Sequence, residues 1–426
     1  MRPMKVLAVA LVATTAVVLP ACGRGSGTSP TAGASAGSVA AGPATGTLTA
    51  WAMGAEGEKL PELAKKFEAA NPGVKVNVTA IPWDAAHDKF NTAITANKTP
   101  DMAMVGTTWM GEFASQGALD PRPQSIDPSV FFEGAQKTTV VNGTSYGIPW
   151  YVETRAIFYR KDLAAKAGYT QPPQDWAGLK AMAKAMQTKA GAKWGIGFQA
   201  GGVGSWQSVF PFAWSNGAVM TKEGDKGYNL DTPEMLEAVK YYQSFFTEGI
   251  ADKAPPPTPT TEADFASGKV PMFISGPWMV AGVEKVGGAG FKDKYAVMKI
   301  PAAKVSSSFV GGSNFVVFKN SQNRDSAWKF VQFLADPANQ VAWWGLSTDL
   351  PSVASAWQDP KLTGDDKLAV FGEQLKTAQA PPPFPTWEQA IAGFDSAMER
   401  ITKTGADPAQ QLKTVQQQAD SIGTGL

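Results

Sequence analysis

From Thr47 onward the chain alternates between two apolar periods, and this alternation narrows the accessible folds more than any other feature. TLTAWAM (47–53) reads as a strand, after which Leu60, Leu63, Ala64 and Phe67 fall at the i, i+3, i+4, i+7 spacing of one helical face. Asn71-Pro72-Gly73 ends that helix. VKVNVTA (74–80) then alternates at period two, a helical stretch runs from Asp84 to Asn97, and MAMV (102–105) is a short apolar run. Strands separated by helices of this length predict right-handed βαβ units on a parallel sheet, hence an α/β fold. Further along, Asn142-Gly143 between apolar runs predicts a hairpin. RAIFYR (155–160), WGIGF (194–198) and SFVGGSNFVVF (308–318) read as strands, and helices are predicted behind Asp175, from Pro233, and around Ala327, Phe330, Val331 and Leu334.

The first 21 residues carry Arg2 and Lys5, an apolar run from Val6 to Leu19 and small residues before Cys22, which is the pattern of a secretory signal. The run is too short and too soon interrupted for a membrane-spanning helix. Leu19-Pro20-Ala21-Cys22 resembles a bacterial lipobox, which implies a lipidated Cys22 as the first mature residue. Cys22 is also the only cysteine, so neither a disulfide nor a thiolate metal site is available. Residues 22–46 are nearly all small and turn-forming, and read as a flexible tether. The remaining length suits two domains rather than one core. With 38 basic and 37 acidic residues there is no concentrated positive field, which argues against a nucleic-acid partner.

One histidine, His87, removes most catalytic chemistry. No zinc helix, multi-histidine metal site or two-histidine iron triad can be built from it, so no metal and no cofactor are expected. His87 itself, in AAHDKF, reads as a solvated helical position. GxSxG strings occur at residues 33–37 and 143–147, but one lies in the tether and the other in the predicted hairpin, and His87 precedes Ser145. Carboxylate-pair glycoside hydrolysis needs no histidine and stays open as an alternative.

Tryptophan is abundant: 14 are present, and Trp51, Trp83, Trp109, Trp150, Trp206, Trp278 and Trp387 sit where elements end. A sugar ring has an apolar C–H face and a rim of hydroxyls, so its binding calls for flat aromatic platforms edged by carboxylates, amides and guanidinium groups. Trp150-Tyr151 followed by Glu153 and Arg155 offers both, and Gly276-Pro277-Trp278 and Gly311-Gly312-Ser313-Asn314 add a platform and small donors. The competing reading is core packing for any one indole, and a plain ion pair at a domain junction for Glu153 with Arg155. Trp343 and Trp344, in a helical stretch, are assigned to packing.

FEAANPGVKV (67–76), TPDMAMV (99–105), GIPWYVETRAIFYRKDL (147–163), FASGKVPMFISGPW (265–278) and AWKFVQFLADPANQ (327–340) together resemble, in order, the extracellular solute-binding proteins of ABC importers, in the maltodextrin-binding-protein-like subgroup. The resemblance covers nearly all of the chain after Thr47. It implies an α/β, two-lobe periplasmic-binding-protein-like fold with discontinuous lobes and a hinge, the first lobe from Thr47 to Pro149 and Ser306 to Ser355, the second from Trp150 to Val305 and Ala356 to Leu426. It implies a binding protein rather than an enzyme, whose partners are an oligosaccharide and the membrane permease subunits of an importer. A monomer, lipid-anchored on the outer face of the cell membrane, is expected. Carried onto this chain, the family's ligand positions fall at Trp51, Trp83, Asp101, Thr108, Trp109, Trp150, Tyr151, Glu153, Arg155, Trp278, Gly312, Ser313 and Asn314, with Trp206 and Trp387 as weaker additions. Asp101 has a structural alternative, holding the turn before its strand. A polyol or glycerol phosphodiester is the alternative cargo.

Overall fold

The computed structural model describes residues 37–255 and 260–426. The predicted signal, Cys22 and the tether up to residue 36 lie outside the described residues. Among the described residues no helix is long and apolar enough to cross a membrane.

The predicted βαβ start is present. Strand β1 (Gly46–Met53) leads through helix α1 (Gly54–Ala70) to β2 (Val74–Ile81), and helix α2 (Trp83–Thr95) leads to β3 (Met102–Gly106). Both β2 and β3 pair with β1 in parallel, and Leu60, Leu63, Ala64 and Phe67 are the buried face of α1. The hairpin is β4 (Val140–Val141) and β5 (Thr144–Ser145), with Asn142 and Gly143 both at positive φ, as a two-residue turn of that hand requires.

The sheet departs from all-parallel where later strands enter it. Strand β6 (Ile148–Thr154) runs directly into β7 (Ala156–Arg160), which pairs antiparallel with β8 (Met272–Ser275) and β9 (Tyr295–Met298) in a second, smaller sheet. Strand β10 (Ser308–Val317) returns to the large sheet, antiparallel to both β3 and β6, while β11 (Leu350–Pro351) pairs β6 and β12 (Ala378–Gln379) pairs β10. The large sheet therefore runs β11-β6-β10-β3-β1-β2. Thr154 still pairs with Val310, so the chain leaves this sheet at Arg155, beyond the expected Pro149. The predicted strand WGIGF forms only one isolated bridge, Gly197 with Phe273, because it meets the small sheet at a single residue.

Two apolar cores result. One gathers Leu48, Phe67, Phe90, Trp150, Phe315 and Phe330; the other gathers Ile157, Met182, Phe210, Tyr242, Trp387 and Phe394. The strands that cross between them are cross-linked where buried: the Thr154 hydroxyl donates to the Phe309 carbonyl (2.6 Å) and the Ser308 hydroxyl to that of Arg155 (2.7 Å). This is the two-lobe α/β fold with a hinge.

The structured body begins before Thr47. Ala44 is fully buried, the Thr45 amide donates to the Ser326 hydroxyl (3.0 Å), the Ala40 amide to Asp325 (3.2 Å), and the Arg324 guanidinium to the Ser38 carbonyl (3.0 Å). The last part of the segment read as tether is thus docked on the helix Arg324–Leu334.

Candidate functional site

A cavity of about 590 Å³ opens between the two cores. Its lining includes Trp83, Thr108, Trp109, Tyr151, Glu153, Trp206 and Gly312, seven of the positions expected from sequence. Trp83 and Trp109 form one wall, edge to face at 5.9 Å. Behind Trp109 lie His87 (5.3 Å), Phe90 and Phe113, which fix the indole from the side away from the cavity. His87 is therefore half-buried rather than solvated: its Nε2 is 2.8 Å from Glu112 Oε2 and its ring stacks on Phe113. That hydrogen bond is the main reason the His87 pKa is raised.

The floor comes from β6 and β10. A bulge between Ser313 and Asn314 shifts their register, and next to it Gly312 has φ +114°, where a Cβ would fall 2.2 Å from the Tyr151 carbonyl oxygen. Only glycine fits there. Tyr151 donates its hydroxyl to Glu56 (3.1 Å) and accepts from Ser313 (3.2 Å). Burial, then the charges of Asp349 and Glu56, pushes the phenol well above its ordinary value, so it remains a donor. Glu153 pairs with Arg155 at 3.3 Å, and Arg155 also donates to Gln207.

The remaining expected positions lie elsewhere. Trp150 and Trp387 are fully buried, Trp150 packing on Trp343 at 4.4 Å and Trp387 on Trp206 at 5.3 Å, so no solute reaches either ring. Asn314 is equally buried and paired with Thr138, while the buried Ser313 hydroxyl donates to Tyr151. Asp101 holds the turn before β3, accepting from Thr49 N (2.8 Å), the Thr49 hydroxyl and the Ser321 hydroxyl. Burial alone would raise its pKa, but these bonds hold it below the usual range. Trp51 packs on Phe90 under Lys89, and Arg155 and Trp278 sit against each other outside the cavity lining.

The sequence reading missed Gly202, Val203, Gly204, Gln207, Phe309, Glu388, Asp395 and Glu399, which also line the cavity. The glycine-rich run before Trp206 was the available signal; the helix Trp387–Glu399 offered none beyond its tryptophan. Among the described residues that line the cavity, none is Lys, Arg or His.

Two lobes, crossing strands and an aromatic-walled cavity between them are the architecture of a solute-binding protein. The family model described as "Bacterial extracellular solute-binding protein" matches residues 51–341, and the chain belongs to that family. It is similar to the diacetylchitobiose-binding protein DasA of Streptomyces coelicolor, 30% identical over 77% of each chain, and to the maltotriose-binding protein of Pyrococcus abyssi, 24% identical over 80% of this chain and 74% of that one. Among solved structures it resembles the sugar-binding protein MalE from Xanthomonas citri, with a TM-score of 0.84, 32% identity, and coverage of 88% of this chain and 97% of that one.

Proposed function

We propose that this protein is the substrate-binding component of a carbohydrate ABC importer, capturing a neutral oligosaccharide in the cleft and handing it to the permease. The observation that carries the reading is the cavity lining: exposed Trp83 and half-buried Trp109 on one side, buried Trp206 bordering the other, and Glu153 as a hydrogen-bonding partner between them. Indole faces match the C–H face of a sugar, and the carboxylates match its hydroxyl rim. The names of the relatives, which bind diacetylchitobiose and maltotriose, support the same class. The absence of a cationic side chain from the described lining weighs against a glycerol phosphodiester, whose charge would need one. Cys22 carries the lipid that keeps the protein on the outer face of the cell membrane, and the protein acts as a monomer.

Calorimetric titration with glucose, maltose, trehalose and N,N′-diacetylchitobiose tests the reading. Saturable one-to-one binding of a disaccharide supports it, and binding of glycerophosphodiesters alone sinks it. Replacing Cys22 by Ala is expected to release the protein from the membrane fraction.

A further inference from the structure

The loop Ala200–Ser205 enters the cavity with an unusual combination of rigidity and exposure. Gly201, Gly202 and Gly204 have φ of +105°, +84° and +80°, and at Gly201 a Cβ would fall 2.4 Å from the Glu399 Cα, so the loop is packed directly on the helix Trp387–Glu399. From that helix the buried Asp395 carboxylate accepts three hydrogen bonds: from the Gly204 amide (2.7 Å), the Ser205 hydroxyl (2.8 Å) and the Trp206 amide (2.9 Å). What this pinned loop presents is Val203, 98% exposed and lining the cavity.

A lone exposed aliphatic residue is ordinary on a protein surface. Val203 differs in its setting. It is held on a loop pinned by hydrogen bonds, on the wall formed by the second core, while Trp83, the other large exposed apolar side chain of the lining at 40%, hangs from α2 beside the first core. Closing a two-lobe cleft by its hinge brings such walls together.

We propose that Val203 is a ligand contact, covering the C–H face of a second sugar unit when the lobes close, so that the loop selects disaccharides and longer glycans over monosaccharides. Asp395 is the positioning residue for this contact. The inference rests on the sugar-binding reading above, and adds to it a subsite and a length preference.

The test compares wild type, Val203→Asp and Val203→Leu by calorimetry with glucose, maltose, trehalose and N,N′-diacetylchitobiose. Val203 packs against almost nothing, so thermal unfolding is expected to stay unchanged in both variants, and an affinity change then reports contact rather than folding. Val203→Asp is expected to weaken the bound disaccharide about tenfold or more and glucose less than about threefold, while Val203→Leu retains binding, the scale being that of losing one desolvated apolar contact. If wild type binds a disaccharide and Val203→Asp binds it equally well, the subsite is refuted and the sugar reading stands. Equal losses for glucose and disaccharide refute the length preference. If wild type binds none of the four sugars, the underlying reading fails, and this inference with it.

Discussion

The guanidinium carbon of Arg155 lies 4.7 Å from the centre of the Trp278 indole, at the point where the chain passes from the large sheet to the small one. Phe309 takes a second side of the cation at 5.5 Å, and Glu153 pairs with it at 3.3 Å. Trp278 is 44% exposed, yet it does not line the cavity. In this position it covers the Arg155 guanidinium. Trp278→Ala is therefore expected to lower stability by about 1 kcal/mol, the scale of a partly exposed cation–π contact, in urea unfolding. Disaccharide affinity is expected to fall less than in Trp83→Ala; the reverse order in calorimetry would make Trp278 a ligand platform instead.

Much of the fold was legible because apolar periodicity acts locally. The buried stripe of α1, the alternation of β2 and the Asn142-Gly143 turn each follow from a few neighbouring residues. What was not legible is long-range. Nothing in SFVGGSNFVVF says that β10 inserts antiparallel between β3 and β6, because that depends on pairing across more than 150 positions. The site divides the same way. Trp83 ends up exposed on the cavity and Trp206 borders it from the second core, whereas Trp150 and Trp387, the same residue type, are fully buried in the cores. Asp395 and Glu399 were invisible because their part is to hold a loop almost two hundred residues away.

Asp349 gives the chain a pH dependence. Burial, and next the charge of Glu56, pushes its carboxyl up to about 7. Between the ordinary carboxylate range near 4 and about 7 the folded protein keeps this proton while the unfolded chain has lost it, so stability falls as pH rises through that window and stays reduced above it. Asp349→Asn removes the penalty. Its unfolding free energy at pH 8 is expected to rise by about 2–4 kcal/mol over wild type, with no gain at pH 4. An equal change at both pH values would show that packing, not charge, is responsible.

His87 shifts stability in the same direction with pH, but as a gain at low pH rather than a penalty at high pH. Its raised pKa, caused first by the hydrogen bond to Glu112 and then opposed by burial, means that its charged form is favoured on folding. Asp88 and Glu388 also raise it, and the rings of Trp109 and Phe113 face it. The contribution is full below the unfolded value near 6.5 and is lost as pH rises through the higher folded value. Both side chains are partly exposed, so the amount is below about 1 kcal/mol. His87→Gln is expected to destabilise the protein more at pH 5.5 than at pH 9 in thermal unfolding, and a pH-independent loss would assign His87 to packing alone.

Trp83 and Trp387 separate the two uses of an indole. Trp83 reaches the cavity with 40% of its surface in water, so little of the fold depends on it, and its truncation removes a platform. Trp83→Ala is expected to cost at least about 1 kcal/mol of disaccharide binding, roughly fivefold or more in Kd, with a nearly unchanged melting temperature. Trp387 is fully buried against Trp206 and Phe210, and its removal leaves a cavity that the surrounding rings cannot refill. Trp387→Ala is expected to cost about 3–5 kcal/mol of stability. Calorimetry and denaturant unfolding on both variants decide the matter: if Trp83→Ala lost stability and kept affinity, the aromatic wall would be structural and the sugar platform would have to lie elsewhere in the cleft.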